Sequence, residues 1–190
     1  EILKRLKSIA EQFPSSIFGS SRYGKSSYVI GVAGGEGYEM NYLRVQAIEL
    51  ISSIWKDDED VLAWLQSKAL FDQDSSVRFA SAKSLATLWK DNPQTFSILK
   101  EQALTDNAWH VRANATVQLA SGWGASPETF QVLEACIQTD QSPAVRARAV
   151  TILEQLIRSD TQSDSSVRLL ARNLLDQHKS RLSSENTGTL

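Results

Sequence analysis

Four dipeptides, Leu43-Arg44, Val77-Arg78, Val111-Arg112 and Val145-Arg146, follow one another at a constant spacing of 34 residues. No other feature narrows the fold as much, because a repeat of this length is one supersecondary unit that must stack on its neighbours to bury its apolar side. The same period links Trp55, Trp89 and Trp123, with Ile157 completing the column, and it links Asp72, Asp106 and Asp140. Residues 77–110 and 111–144 align without a gap and share 11 of 34 identities, too many for unrelated segments.

Each unit divides into two helices. In VRFASAKSLATLW, Val77, Ser81, Leu85, Leu88 and Trp89 fall on one helical stripe. A polar turn follows, and then Asn92-Pro93 or Ser126-Pro127, a capping residue before proline at the first helical position. The second half carries Phe96, Leu99 and Ala103, matched by Leu62, Leu65, Ala69 and by Phe130, Leu133, Ile137. In the fourth unit IRSDTQSD is the inter-helix turn, and Val167 and Ala171 continue the Leu65 and Ala69 columns. The expected fold is all-α, a right-handed α-α superhelix of four two-helix repeats preceded by one N-terminal helix. Its expected divisions are a helix at 1–13, half of a degenerate repeat, with Ile2, Leu6, Ile9 and Phe13 on one face. A Gly/Ser-rich loop at 14–40, replacing that repeat's second helix, the four repeats at 41–178, and a fraying tail at 179–190 follow.

A period of 34 also occurs in tetratricopeptide arrays, but those place tryptophan early in the first helix, whereas here it ends that helix. The motif D-x-x-x-x-V-R followed by small residues, in DQDSSVRFASA, DNAWHVRANA and DQSPAVRARA, resembles the HEAT repeat, in particular the short PBS-lyase HEAT-like form. The string LATLWKDNPQTFSILKEQALTDNAWHVRANATVQLASGWGASPETFQVL is similar to the carboxy-terminal HEAT arrays of bacterial, notably cyanobacterial, NACHT-type NTPases. That resemblance implies a non-catalytic protein-binding, sensing or scaffold module, cytoplasmic and part of a longer polypeptide whose NTPase domain lies upstream. Phycobilin lyase subunits are built from similar repeats, and bilin attachment is the alternative the resemblance allows.

The segment GSSRYGKSS matches G-x-x-x-x-G-K-[ST], in which Gly19, Gly24, Lys25 and Ser26 would cradle a phosphate. The pattern needs a strand before it and a helix after it. FPSSIF is a poor strand, and Gly31, Gly34, Gly35 and Gly37 oppose a long helix after Ser26, so the match is read as a decoy and no nucleotide or other cofactor is expected. The chain carries 20 basic and 22 acidic residues, and its net charge of −2 disfavours nucleic acid as partner. No apolar run approaches the roughly 20 residues of a membrane helix. His110 and His178 fall in different repeats, and no metal-ligand spacing or catalytic constellation appears, so no enzyme can be argued from these residues. Cys136 aligns with Lys68, Gln102 and Leu170 and is expected to be partly exposed.

The tryptophan column, one turn beyond Ile51, Leu85 and Leu119, is expected in the core. Arg44, Arg78, Arg112 and Arg146 are expected to form exposed rungs with the aspartate column, leaving Arg44, which has Tyr38 where an aspartate would precede it, as the unpaired end. A protein partner, or another domain of the same polypeptide, is expected on the second helices, off the buried stripe, at Gln66, Lys100, Glu134 and Arg168. Trp109 aligns with Asn41, Ser75 and Pro143 and is either a staple of its turn or an interface anchor.

Overall fold

The computed structural model describes residues 1–11, 36–159 and 166–187. Its helices are α1 (Ile2–Glu11), α2 (Glu36–Ile54), α3 (Glu59–Phe71), α4 (Ser75–Leu88), α5 (Pro93–Thr105), α6 (Trp109–Trp123), α7 (Pro127–Thr139), α8 (Pro143–Ser159) and α9 (Ser166–Thr187), and no strand occurs among the described residues. The fold is thus the all-α, HEAT-like solenoid class, with α2–α3, α4–α5, α6–α7 and α8–α9 as its helix pairs. The chain forms two compact units, Glu1–Ile98 and Leu99–Leu190.

The second helices start where the caps dictate. Asp58 accepts the backbone N–H of Asp60 and Val61 at 2.9 and 3.1 Å, Asn92 accepts that of Gln94 at 3.0 Å, and Ser126 accepts that of Glu128 at 3.3 Å. Each satisfies donors that the first helical turn leaves open. In the first unit α2 packs on α4, α3 on α4 and α1 on α2. Ile48, Ile51, Val61, Leu65, Val77 and Leu85 are fully buried there. In the second unit α6 packs on α8, α7 on α8 and α9, and α8 on α9, around Leu99, Val111, Leu119, Val132, Leu133 and Leu153. Small residues Ala47, Ser81, Ala115 and Ala149 are buried at one column of the first helices, and this lets backbones approach. The end of α6 is also tight. A Cβ on Gly124 would lie 2.5 Å from the Ala120 carbonyl oxygen and 3.0 Å from Leu156 Cδ2.

Several expectations need correction. The helix of the first repeat starts at Glu36, inside the segment read as a 14–40 loop. Gly37 is the one glycine it contains, and a single glycine costs about 1 kcal/mol, tolerable near a helix end. The segment read as a fraying tail at 179–190 is helical through Thr187. Loss of apolar periodicity removes burial, not helicity, and no glycine or proline stands between Gln177 and Gly188. In α1, Ala10 is buried and Leu3, Leu6 and Lys7 are half-buried, while Ile2 and Ile9 face water and Phe13 lies outside the described residues. The helix presents the Lys7–Ala10–Glu11 side because its contacts are with α2 and α3. Arg44 Nε donates to the Ala10 carbonyl at 2.8 Å, Trp64 Nε1 donates to Glu11 at 2.9 Å, and Lys7 Nζ stands 5.4 Å from the Trp64 ring centre. Contacts to a first and a second helix at once give α1 the place that α7 has beside α8 and α9, that of a second helix. Trp55, Trp89 and Trp123 are half-buried. The core closes one turn earlier, at the fully buried Ile51, Leu85 and Leu119.

Candidate protein-binding face

Every repeat boundary is organised by the D-x-x-x-x-V-R motif. Asp72, Asp106 and Asp140 each accept a backbone N–H two residues on, from Asp74, Ala108 and Ser142 at 3.0, 2.8 and 2.8 Å. These Asx turns fix the corner between helices. The arginine six residues further on ties the same corner through Nη1, Arg78 to the Asp72 carbonyl at 2.9 Å, Arg112 to Asp106 at 2.7 Å and Arg146 to Asp140 at 2.7 Å.

The rest of the guanidinium reaches forward by 28 residues. Arg44 Nη2 donates to both Asp72 oxygens at 2.9 and 2.7 Å. Arg112 grips Asp140 as a fork, Nε to Oδ2 at 2.7 Å and Nη2 to Oδ1 at 2.8 Å. The ladder therefore differs from the expected one in two ways. Its rungs are buried, with the side chains of Arg44 and Asp72 each 5% exposed. Arg44 is paired, with Asp74 also 3.9 Å away. Position 38 is irrelevant to it, since stacking brings each arginine to the following aspartate. Burial alone would raise the carboxyl of Asp140, but the Arg112 hydrogen bonds, the Ser142 N–H and the charges of Arg112 and Arg146 outweigh it and hold the group below its ordinary 3.8. Arg112 is held still more firmly in its charged form, first by its hydrogen bond to Asp140.

Cys136 is buried, not partly exposed, with its thiol 3.6 Å from the Ala103 carbonyl. Burial first, and the nearby Asp140 charge second, push its pKa up to about 11. Such a thiol is inert at neutral pH. Its column reading failed because Lys68 and Leu170 are more open than Gln102, which is buried as well.

On the second helices Gln66, Lys100 and Glu134 are half-buried, off the fully buried Leu65, Leu99 and Leu133. The next column is more open, with Ser67 and Glu101 exposed and Ala135 half-buried. The side chain of Arg168 lies outside the described residues, as do Gly19, Gly24, Lys25 and Ser26 of the phosphate-loop match. In the second unit Glu134, Ile137 and Gln138 of α7 face Asn173, Leu174 and Gln177 of α9 across a shallow groove. Glu134 accepts Gln138 Nε2 at 2.8 Å on its rim.

Trp109 is the first residue of α6 and 42% exposed, with its ring edge-to-face on His110 at 5.9 Å between centres. Trp64, by contrast, carries a role that sequence reasoning passed over. Its ring lies near the Lys7 and Lys68 ammonium groups, at 5.4 and 5.9 Å, and its N–H fixes Glu11. An indole in a column that otherwise holds Ile98, Val132 and Ser166 is the signal that could have found it.

Among the described residues no three His, Cys, Asp or Glu side chains gather to hold a metal ion, and no helix is long and apolar enough to cross a membrane. The chain matches no curated protein and no solved structure. Residues 39–120, from α2 into α6, match the family model of HEAT repeats, in keeping with the HEAT-like helix pairs of the fold.

Proposed function

We propose that this chain is a non-catalytic protein-binding or sensing module, the HEAT array of a larger cytoplasmic NACHT-type signalling NTPase. HEAT repeats generally mediate protein interactions. One observation carries the assignment of the face. The columns that hold the stack repeat their chemistry and are buried, as in Val77, Val111 and Val145, whereas Gln66, Lys100 and Glu134 share no chemistry and remain reachable. A surface fitted to one partner has no reason to repeat itself, and side chains there change without unfolding the stack. Trp109, exposed at the start of α6, is the aromatic anchor of this reading.

Reversing Lys100 and Arg168 to glutamate together leaves the melting temperature nearly unchanged and weakens capture of a partner from native lysate, quantified by mass spectrometry against wild type. Equal recovery by both proteins removes the interface from the second helices. A bilin mixed with the protein keeps its free absorbance spectrum, and a shifted band would return the lyase alternative.

A further inference from the structure

Arg112 and Arg146 hold their own corners in the same way. Nη1 of Arg112 donates to the Asp106 and Asn107 carbonyls at 2.7 and 3.4 Å, and Nη1 of Arg146 to those of Asp140 and Gln141 at 2.7 and 3.2 Å. A guanidinium is a rigid planar fork, so fixing Nη1 also fixes where the edge bearing Nε–H and Nη2–H points. In Arg112 that edge closes on Asp140, 28 residues further along. The same step from Arg146 arrives at Leu174, a side chain with no acceptor. Asp140 accepts nothing from this edge: its Oδ2 takes Arg112 Nε–H, and its Oδ1 takes Arg112 Nη2–H and the Ser142 N–H. Among the described residues no carboxylate stands on the Nε–Nη2 edge of Arg146, and its side chain is half-buried, reachable from water.

We propose that this edge of Arg146 is a carboxylate-binding site that receives the aspartate of an added turn from a partner polypeptide. The filled rung defines the ligand. Asp140 accepts Arg112 Nε–H at Oδ2 and both Arg112 Nη2–H and the Ser142 backbone N–H at Oδ1. An aspartate in an Asx turn arrives with its carboxylate already oriented for the fork. A free anion supplies the charge without that orientation and without the flanking backbone that covers it. Charge-assisted, two-point recognition of this kind discriminates sharply against the neutral amide. The site lies at the α8 corner, not on the second-helix columns, so it goes beyond the function proposed above and stands or falls separately.

The test is a titration of the wild-type chain with a peptide of the sequence of residues 127–145, which carries the Asp140 turn. The readout is the ¹H–¹⁵N resonance of each arginine Nε–H, with Arg146 assigned from its loss in Arg146→Lys. The expected result is a saturable shift of Arg146 with Arg112 unmoved, and affinity about tenfold weaker for the peptide carrying Asp140→Asn. An unmoved Arg146 overturns the proposal. So does an equal response to the asparagine peptide, or to sodium acetate at the same concentration.

Discussion

The rung of the first unit, Arg44–Asp72, and that of the second, Arg112–Asp140, come from the same motif and differ in what the arginine holds besides its aspartate. Arg112 ties its own corner, through the Asp106 carbonyl. Arg44 ties a different helix, through the Ala10 carbonyl of α1, and has a second carboxylate, Asp74, at 3.9 Å. Lys68 stands 3.5 Å from the shared Asp72. A terminal rung can thus double as the anchor of a terminal helix, and the comparison predicts an order of effects along the ladder.

Arg44→Ala is expected to have the largest effect. Removing one partner of a buried ion pair costs about 3–5 kcal/mol, because the other charge is left uncompensated. Here Asp72, Asp74 and the Ala10 carbonyl all lose the guanidinium, and Lys68, 3.5 Å from Asp72, offsets part of that loss. Arg112→Ala falls lower in that range, its rung being slightly more open, with the arginine side chain 13% exposed. Arg146→Ala, with only backbone carbonyls to lose, costs about 1 kcal/mol. Urea denaturation ranks the three, and hydrogen exchange shows α1 released only in Arg44→Ala. Equal effects at Arg44 and Arg146 would erase the distinction between paired and open ends.

Gly124→Ala compares the corner after α6 with the one after α4, where Lys90 holds the same register. A Cβ at Gly124 meets the backbone oxygen of Ala120, which cannot swing aside as a side chain would. Overpacking of this kind costs about 1–3 kcal/mol. Lys90→Ala lacks that clash. A thermal melt of Gly124→Ala that matches wild type would mean the α6 end relaxes freely.

Two titrations separate the edge of the second unit from its interior. Asp140 is depressed in the folded chain, so its contribution is present above the unfolded value near 3.8 and is lost as pH falls through and below it. Cys136 is raised to about 11 from 9.0. Below pH 9 its thiol is neutral in both states and has no effect on stability. Between pH 9 and about 11 the unfolded chain ionises first, so stability falls as pH rises. Denaturation midpoints across pH should show Asp140→Asn losing part of the acid slope and Cys136→Ala part of the alkaline one. Exchange of the two slopes between the variants would contradict this assignment.

What was legible in the sequence follows the same division between column and edge. Val77, Val111 and Val145 recur in identical surroundings, so the period alone identifies them as core, and the helix pairs follow from it. The direction of the ladder was not legible. Asp72 is six residues before Arg78 and 28 after Arg44, and only stacking decides how much of each arginine goes to which. The placement of α1 was hidden for a related reason, since Leu3 and Ala10 and Ile2 and Ile9 mark two overlapping stripes and the choice rests on Arg44 and Trp64. Of the candidate face, Gln66, Lys100 and Glu134 could be read as lying off the buried stripe. A partner's chemistry cannot be read from columns that do not repeat.

The smallest effects come from one column that the two units fill alike but satisfy differently. Thr95 and Thr129 are both fully buried at the third residue of a second helix, and Val61 occupies the same place in the first repeat. Thr95 Oγ1 donates to the Trp89 carbonyl at 2.8 Å. Thr129 Oγ1 has no hydrogen-bond partner among the described residues. Threonine and valine have nearly the same shape, so exchanging one for the other changes polarity with little change in packing. At Thr95 the exchange deletes a hydrogen bond and costs about 1 kcal/mol. At Thr129 it deletes an unsatisfied buried hydroxyl, whose desolvation is unfavourable by about 1–3 kcal/mol, so the variant is expected to gain up to about 1 kcal/mol. Melting temperatures of Thr95→Val and Thr129→Val should move in opposite directions from wild type. A decrease in both would mean that Thr129 finds a partner, such as an ordered water, and that the two units satisfy this column equally.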